Sequence, residues 1–264
     1  MVADDLNHLV WIPDGKGVGR GHRIFPGELP GDAASRKRVK KDLESLIDLG
    51  DGRLVAFPSG SKNRRCRGVL IRLTSSGALK SAREINFRAL MNILGDSIPD
   101  LNIEGGYVRR KRLILLHRGN GKSRFNAVVK IRLSAFKRGL KGAWKRSALD
   151  IKIRRVPLPR WDRVPLTFTD AFFLDGVAYF SAAAEAGNST YADGKIIGSV
   201  IGILPKHKKK PVILARLAGE KIEGIAPGAR VNGSLEIFAV TDGDDPKKLS
   251  RLFRTTVPGV PLLH

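Results

Sequence analysis

An acidic residue set in a short apolar run returns four times along the chain, each time followed by a glycine-containing turn and two further β-type runs. The first copy is Asp42-Leu43-Glu44-Ser45-Leu46, followed by Arg53–Phe57 and Gly68–Leu73. The second is Leu101-Asn102-Ile103-Glu104-Gly105, followed by Leu113–Leu116 and Ala127–Ile131. Thr167-Phe168-Thr169-Asp170-Ala171 opens the third, with Val177–Phe180 and Ser199–Ile203 after it. Lys221-Ile222-Glu223-Gly224-Ile225 opens the fourth, with Leu235–Val240 and Leu249–Phe253 after it. The acidic positions recur at roughly 60-residue intervals, and runs of β-branched and aliphatic residues between turns read as strands.

The gaps leave room for fourth strands at Ala82–Phe87, Leu149–Arg154 and Val212–Leu217. Four strands per repeat is the arithmetic of a β-propeller blade. The expectation is an all-β chain, one β-propeller domain over residues 1–264, with five four-stranded blades countable and a sixth possible. Its first blade is incomplete: Met1–Asp5 and His8–Ile12 read as second and third strands, and Arg23–Phe25 as a fourth, with no innermost strand. Open sheet edges expose unpaired backbone groups, so a natural start upstream of Met1 is expected. A doubly wound α/β fold is disfavoured, because no interval carries a 10–15-residue amphipathic pattern; short helical turns are expected near Arg36–Lys41 and Phe87–Leu94.

In an up-and-down blade, the start of the first strand and the end of the second lie at the same end. That geometry predicts that Glu44, Glu104, Asp170 and Glu223 gather with Asp4, Asp5, Ser59, Ser61, His117, Arg118, Asn120, Glu185 and Asp242. Converging carboxylates repel unless protonated or neutralised. A hard cation bound by Glu44, Glu104, Asp170, Glu223, Asp4 and Asp242 would neutralise them, and calcium suits such oxygen ligands best. Arg118, with His117, Asn120 and Ser59, would then hold a small anionic substrate. The competing reading is that each carboxylate pairs with a nearby arginine or caps a loop.

Composition bears on partners. The chain carries 48 Lys and Arg against 25 Asp and Glu, a formal net charge of +23, which attracts polyanions. The basic clusters split between the two ends: Arg36–Lys41, Lys62–Arg67 and Lys122–Arg124 at one, Arg109–Arg112, Lys137–Arg146 and Lys206–Lys210 at the other. That split, with only 6% aromatic residues, disfavours nucleic acid as the partner. Cys66 is the only cysteine, so an intrachain disulfide and a thiolate zinc site are excluded. No run is apolar enough to span a bilayer and no signal peptide is visible, so a cytoplasmic location follows if Met1 is the true start.

Three near-motifs fail on context. Gly121-Lys122-Ser123 lacks the glycine five residues earlier and is followed by a strand-like run. The glycines of residues 15–21 lack a βαβ setting, and Gly95-Asp96-Ser97-Ile98 falls between blades.

The phrases around Glu44, Glu104 and Glu223 resemble the acidic first-strand motifs of the bacterial phytase-like and esterase-like β-propellers. His117-Arg118-Gly119-Asn120 and Phe168-Thr169-Asp170-Ala171 resemble an uncharacterised branch of that group. The resemblance implies a propeller with calcium-dependent hydrolysis of phosphate or carboxylic esters. A propeller that binds a ligand or partner without catalysis is the alternative.

Overall fold

The computed structural model describes residues 1–3, 5–13, 18–186, 195–205, 210–242 and 249–258. They fall into two compact units: Met1–Leu115 with Val129–Lys152, and Leu116–Val128 with Ile153–His264. The chain is mostly β, with its strands in small antiparallel meander sheets of the β-propeller class.

In the first unit, β1 (His8–Trp11) and β2 (Arg20–Arg23) form a two-stranded sheet, and Val2 adds an antiparallel bridge to Leu9 on β1, with the Val10 N–H donating to the Met1 carbonyl at 2.9 Å. Next comes α1 (Ala33–Val39), whose start is fixed by the Asp32 carboxylate accepting the Ser35 N–H at 2.8 Å. Strands β3 (Leu43–Asp48), β4 (Leu54–Pro58), β5 (Arg67–Leu73) and β6 (Leu79–Asn86) then pair in chain order. Helix α2 (Arg88–Gly95) follows β6, turning Leu90, Met91 and Leu94 inward. Both short helices fall where the sequence predicts helical turns.

Strands β7 (Ile103–Arg109), β8 (Arg112–His117), β9 (Asn126–Arg132) and β10 (Lys152–Val156) make the next four-stranded sheet, and the division between units falls within β8, β9 and β10. Between β9 and β10 lie two helices that the sequence reading did not anticipate, α3 (Leu133–Gly139) and α4 (Arg146–Leu149). The core of the first unit includes two apolar groups. One joins Leu9, Ile24 and Phe25 to Leu43, Ala56, Val69 and Ile71. The other is aromatic: Phe57, Phe87, Phe136 and Trp144, with ring centroids 4.7–6.3 Å apart.

The second unit holds a sheet of five strands where four were expected: β11 (Arg160–Trp161), β12 (Val164–Leu174), β13 (Val177–Ala186), β14 (Lys195–Ile203) and β15 (Val212–Ala218). The extra strand, β11, is a two-residue hairpin arm. Asp162 and Arg163 both take positive φ, 46° and 67°, as a primed turn demands, and this pairs Arg160 with Pro165 and Trp161 with Val164. Without glycine at either turn position, the sequence gives little sign of it. The last sheet has three strands among the described residues: β16 (Ile222–Val231), β17 (Ser234–Thr241) and β18 (Leu252–Pro258). β17 alternates buried and half-buried residues along its length, so Leu235, Ile237 and Ala239 enter a core with Tyr179, Ile201, Ile222 and Val257.

Candidate functional site

The end of β13 and the start of β12 lie together in register, Thr167 opposite Ala183 and Leu166 opposite Ala184. The start of β16 likewise meets the end of β17, with Ile222 opposite Thr241 and the Asp242 N–H donating to the Lys221 carbonyl at 3.1 Å. Within the second unit, strand-one starts and strand-two ends therefore share an end, as meander geometry requires. There, four charged side chains from three sheets meet.

Arg118, just past β8, donates to the Glu185 carboxylate and, through Nε, to the Thr167 hydroxyl at 3.2 Å. Lys221 stands between two carboxylates, 2.8 Å from Glu223 and 3.6 Å from Glu185. Arg118 and Lys221 are each only 6% exposed, so these pairs lie largely out of water, where leaving one charge uncompensated is costly. Glu223 is pushed above the ordinary carboxylate range, because the cost of burying its charge outweighs the pull of Lys221 and Arg118. It retains 23% side-chain exposure, so a proton on it can reach a ligand.

Two neutral side chains aim this cluster. The Asn126 carboxamide oxygen accepts the N–H groups of Gly119 and Phe168, each at 3.1 Å, and its amide donates to the Leu166 carbonyl at 3.0 Å. It thus ties the loop bearing Arg118 to the start of β12. Gly119 is required there, since a Cβ would come within 2.5 Å of the Phe125 backbone. Ser199, fully buried in β14, donates to the Glu220 carbonyl at 2.8 Å and accepts the Ile222 N–H at 2.9 Å, gripping the chain on both sides of Lys221. Asn126→Ala would strand two buried N–H groups and a carbonyl. A loss of about 2 kcal/mol in urea unfolding is the expected result.

The other expected site residues have other surroundings. His117 is buried at the end of β8, its ring edge-on to Phe125 at 5.3 Å. Asn120 is half-buried in the loop that follows. The Asp170 carboxylate accepts the N–H of Ala171 at 2.7 Å and that of Ile225 at 2.9 Å, which links β12 to β16 beside a bulge at Phe168/Asp170. Asp4 lies outside the described residues.

In the first unit, the buried carboxylate of the first repeat is Asp42, two residues before the half-buried Glu44. Asp42 takes a positive φ of 62° and accepts from Ser59 Oγ, with Arg65 at 2.9 Å and Lys40 at 3.4 Å. Ser59 in turn lies 2.9 Å from Ser61 Oγ, and its carbonyl accepts the Ile103 N–H at 2.8 Å. Glu104 is buried and accepts from Asn102 at 2.6 Å. Asp42, which is not among the expected site residues, is thus a buried carboxylate held by two neighbouring cations. Among the described residues, no three of His, Cys, Asp and Glu converge in a group that could hold a metal ion.

Sequence reasoning named Arg118, Glu185 and Glu223 for this end of the blades but passed over Lys221, Asn126 and Ser199. Lys221 had a visible signal, being the residue two before the repeated acid. Asn126 and Ser199 differ from ordinary strand polar residues only in being buried.

Among solved structures, the chain resembles the native arabinanase Arb43A of Bacillus subtilis at 11% identity, with a TM-score of 0.40 over 81% of this chain and 93% of that one. No curated protein sequence matches the chain. A family model matches residues 1–257, and the chain belongs to that family, a family of unknown function designated DUF6929.

Proposed function

We propose that the second unit carries a hydrolytic site for a small anionic ester, phosphate or carboxylic, at the Arg118–Glu185–Lys221–Glu223 cluster. One observation carries the reading. Two buried cations are held in place by carboxylates, and one of those carboxylates, Glu223, is driven towards its protonated form while part of it still meets solvent. Strongly perturbed titratable groups held beside fixed cations favour a functional site over an ordinary surface ion pair.

In this scheme Arg118 and Lys221 bind the substrate anion, a charge-assisted contact that each can make by sharing its present carboxylate partner. Water attacks the ester carbon or phosphorus, the bond to the departing oxygen breaks, and Glu223 gives that oxygen its proton; the proton released by the attacking water returns to Glu223, so that ester and water become acid and alcohol. Asn126 and Ser199 act as positioning residues. This scheme assigns calcium no step, and the test below reads each substrate with and without it.

The test is turnover on a panel of phosphate and carboxylic esters, each with and without calcium. Glu223→Gln should lower the rate on the order of 100-fold while the fold persists, as loss of a general acid does. Wild-type turnover should decline as pH rises through the raised Glu223 value, because only the protonated form can donate. The absence of turnover on every ester under both conditions would overturn hydrolysis. It would favour the second reading, a ligand-binding propeller without catalysis. That reading is supported by the same cluster, in which each charge already has an opposite partner.

A further inference from the structure

The first unit contains a cleft of about 420 Å³ between the β6–α2 junction and the α3–α4 connection. This falls within the usual range for small-molecule sites. Three cations line it, Arg83, Arg88 and Lys141, with one carboxylate, Glu84. Glu84 is paired outward with Arg67 at 3.0 Å.

Among the described residues, most arginines with a side-chain partner reach a carboxylate, and these three cations do not. Arg23, Arg53, Arg112, Arg118, Arg146 and Arg230 each reach a carboxylate. Arg83 is instead held by the Leu140 carbonyl at 3.0 Å, and Arg88 by the Asn63 carbonyl at 3.0 Å. Among the described residues, none of the three has a carboxylate partner. A carbonyl fixes a guanidinium in place without cancelling its charge, so two oriented forks and an ammonium remain for an anion. The excess of cations in this chain must lie somewhere, and here a cleft collects three of them beside an aromatic wall.

That wall is Trp144, half-buried and wedged against Phe87 at 5.7 Å, Phe136 at 5.6 Å and the Cα of Gly139, where no Cβ would fit. Asn86 and Asn92 add amide groups to the lining. Convergent cations beside a fixed aromatic surface suit one chemistry: a phosphate group attached to a flat or apolar organic body.

We infer that this cleft binds a small phosphorylated molecule, its phosphate on Arg88, Arg83 and Lys141 and its organic part against Trp144. The site is separate from the cluster in the second unit and stands or falls without it.

Titration of the full chain with adenosine diphosphate and with inorganic pyrophosphate, followed by tryptophan fluorescence and calorimetry, tests the inference. Saturable binding is expected, tighter for the diphosphate nucleotide because it also reaches Trp144, and with the fluorescence change lost in Trp144→Phe. Arg88→Met and the exposed Lys141→Glu should each weaken binding about tenfold or more at unchanged melting temperature. Lys141 is exposed and its side chain makes no hydrogen bond or ion pair among the described residues, so its variant remains informative if Arg88→Met unfolds. A single-stranded oligonucleotide forms the third arm: binding weaker than that of the nucleotide supports a free metabolite. No saturation by either phosphate at about 5 mM, or binding that survives both charge variants, overturns the inference.

Discussion

Lys221→Met is expected to destabilise the chain by about 3–5 kcal/mol in urea unfolding at neutral pH, although it replaces a lysine by an apolar residue of similar length. The lysine is 6% exposed and stands between Glu223 and Glu185. Its removal leaves Glu223 with only the more distant pull of Arg118, while Glu185 keeps its direct bond to Arg118. The penalty comes from the orphaned carboxylate, and that gives the effect a pH signature. Glu223 already has a folded pKa raised above its unfolded value. A folded state that holds the proton more tightly loses stability as pH climbs from the unfolded value, near 4.5, through the folded one. Lys221→Met raises the folded value further, so the deficit should grow with pH across that window and shrink below it. In the double variant Lys221→Met/Glu223→Gln, the carboxylate that suffers is gone and much of the loss should return. A double-mutant cycle showing simple additivity would mean that the two side chains do not share one network.

The parts of this fold legible in the sequence are those encoded in periodicity. Apolar runs between turns located most strands, and the repeated acid located the starts of β3, β7 and β16, while Asp170 falls in the middle of β12. The meander rule then brought Glu185, Glu223 and Arg118 to one end from the sequence alone. Two kinds of feature escaped. One is backbone conformation without its customary residue: Asp162 and Arg163 turn the chain into β11 at positive φ with no glycine, and Asp42 does likewise before β3. The other is partnership at long range. Asp170 reads as a potential metal ligand because its type matches Glu104 and Glu223, but that its carboxylate accepts two backbone N–H groups, one of them 55 residues away, is nowhere signalled in the sequence. Residue type states what a side chain can accept. Only the fold states what is offered to it.

Helices α3 and α4 were hidden by their charge. Lys137–Arg146 reads as a solvated basic loop, but Phe136 and Trp144 drop from its two ends into one aromatic group with Phe57 and Phe87. Phe87 is the centre of that group: fully buried, 4.7 Å from Phe57, stacked on Phe136 at 6.1 Å and tilted to Trp144 at 5.7 Å. It is also where β6 becomes α2, its N–H bonded to the Cys66 carbonyl at 2.8 Å and its own carbonyl accepting the Met91 N–H at 2.9 Å. Phe87→Ala should therefore cost about 3–5 kcal/mol, from lost burial, lost ring pairs and a cavity that Gly68, with no side chain, cannot fill. Phe87→Leu, which keeps most of the volume, should cost about half as much. The same change tests how the phosphate cleft is held. Trp144 loses one of its two ring neighbours in Phe87→Ala, so its fluorescence should shift towards that of a solvated indole, and nucleotide affinity should fall more than pyrophosphate affinity. Equal losses for the two ligands would place the organic part of the ligand away from Trp144, and a stability loss under about 1 kcal/mol would show that the four rings do not act as one core.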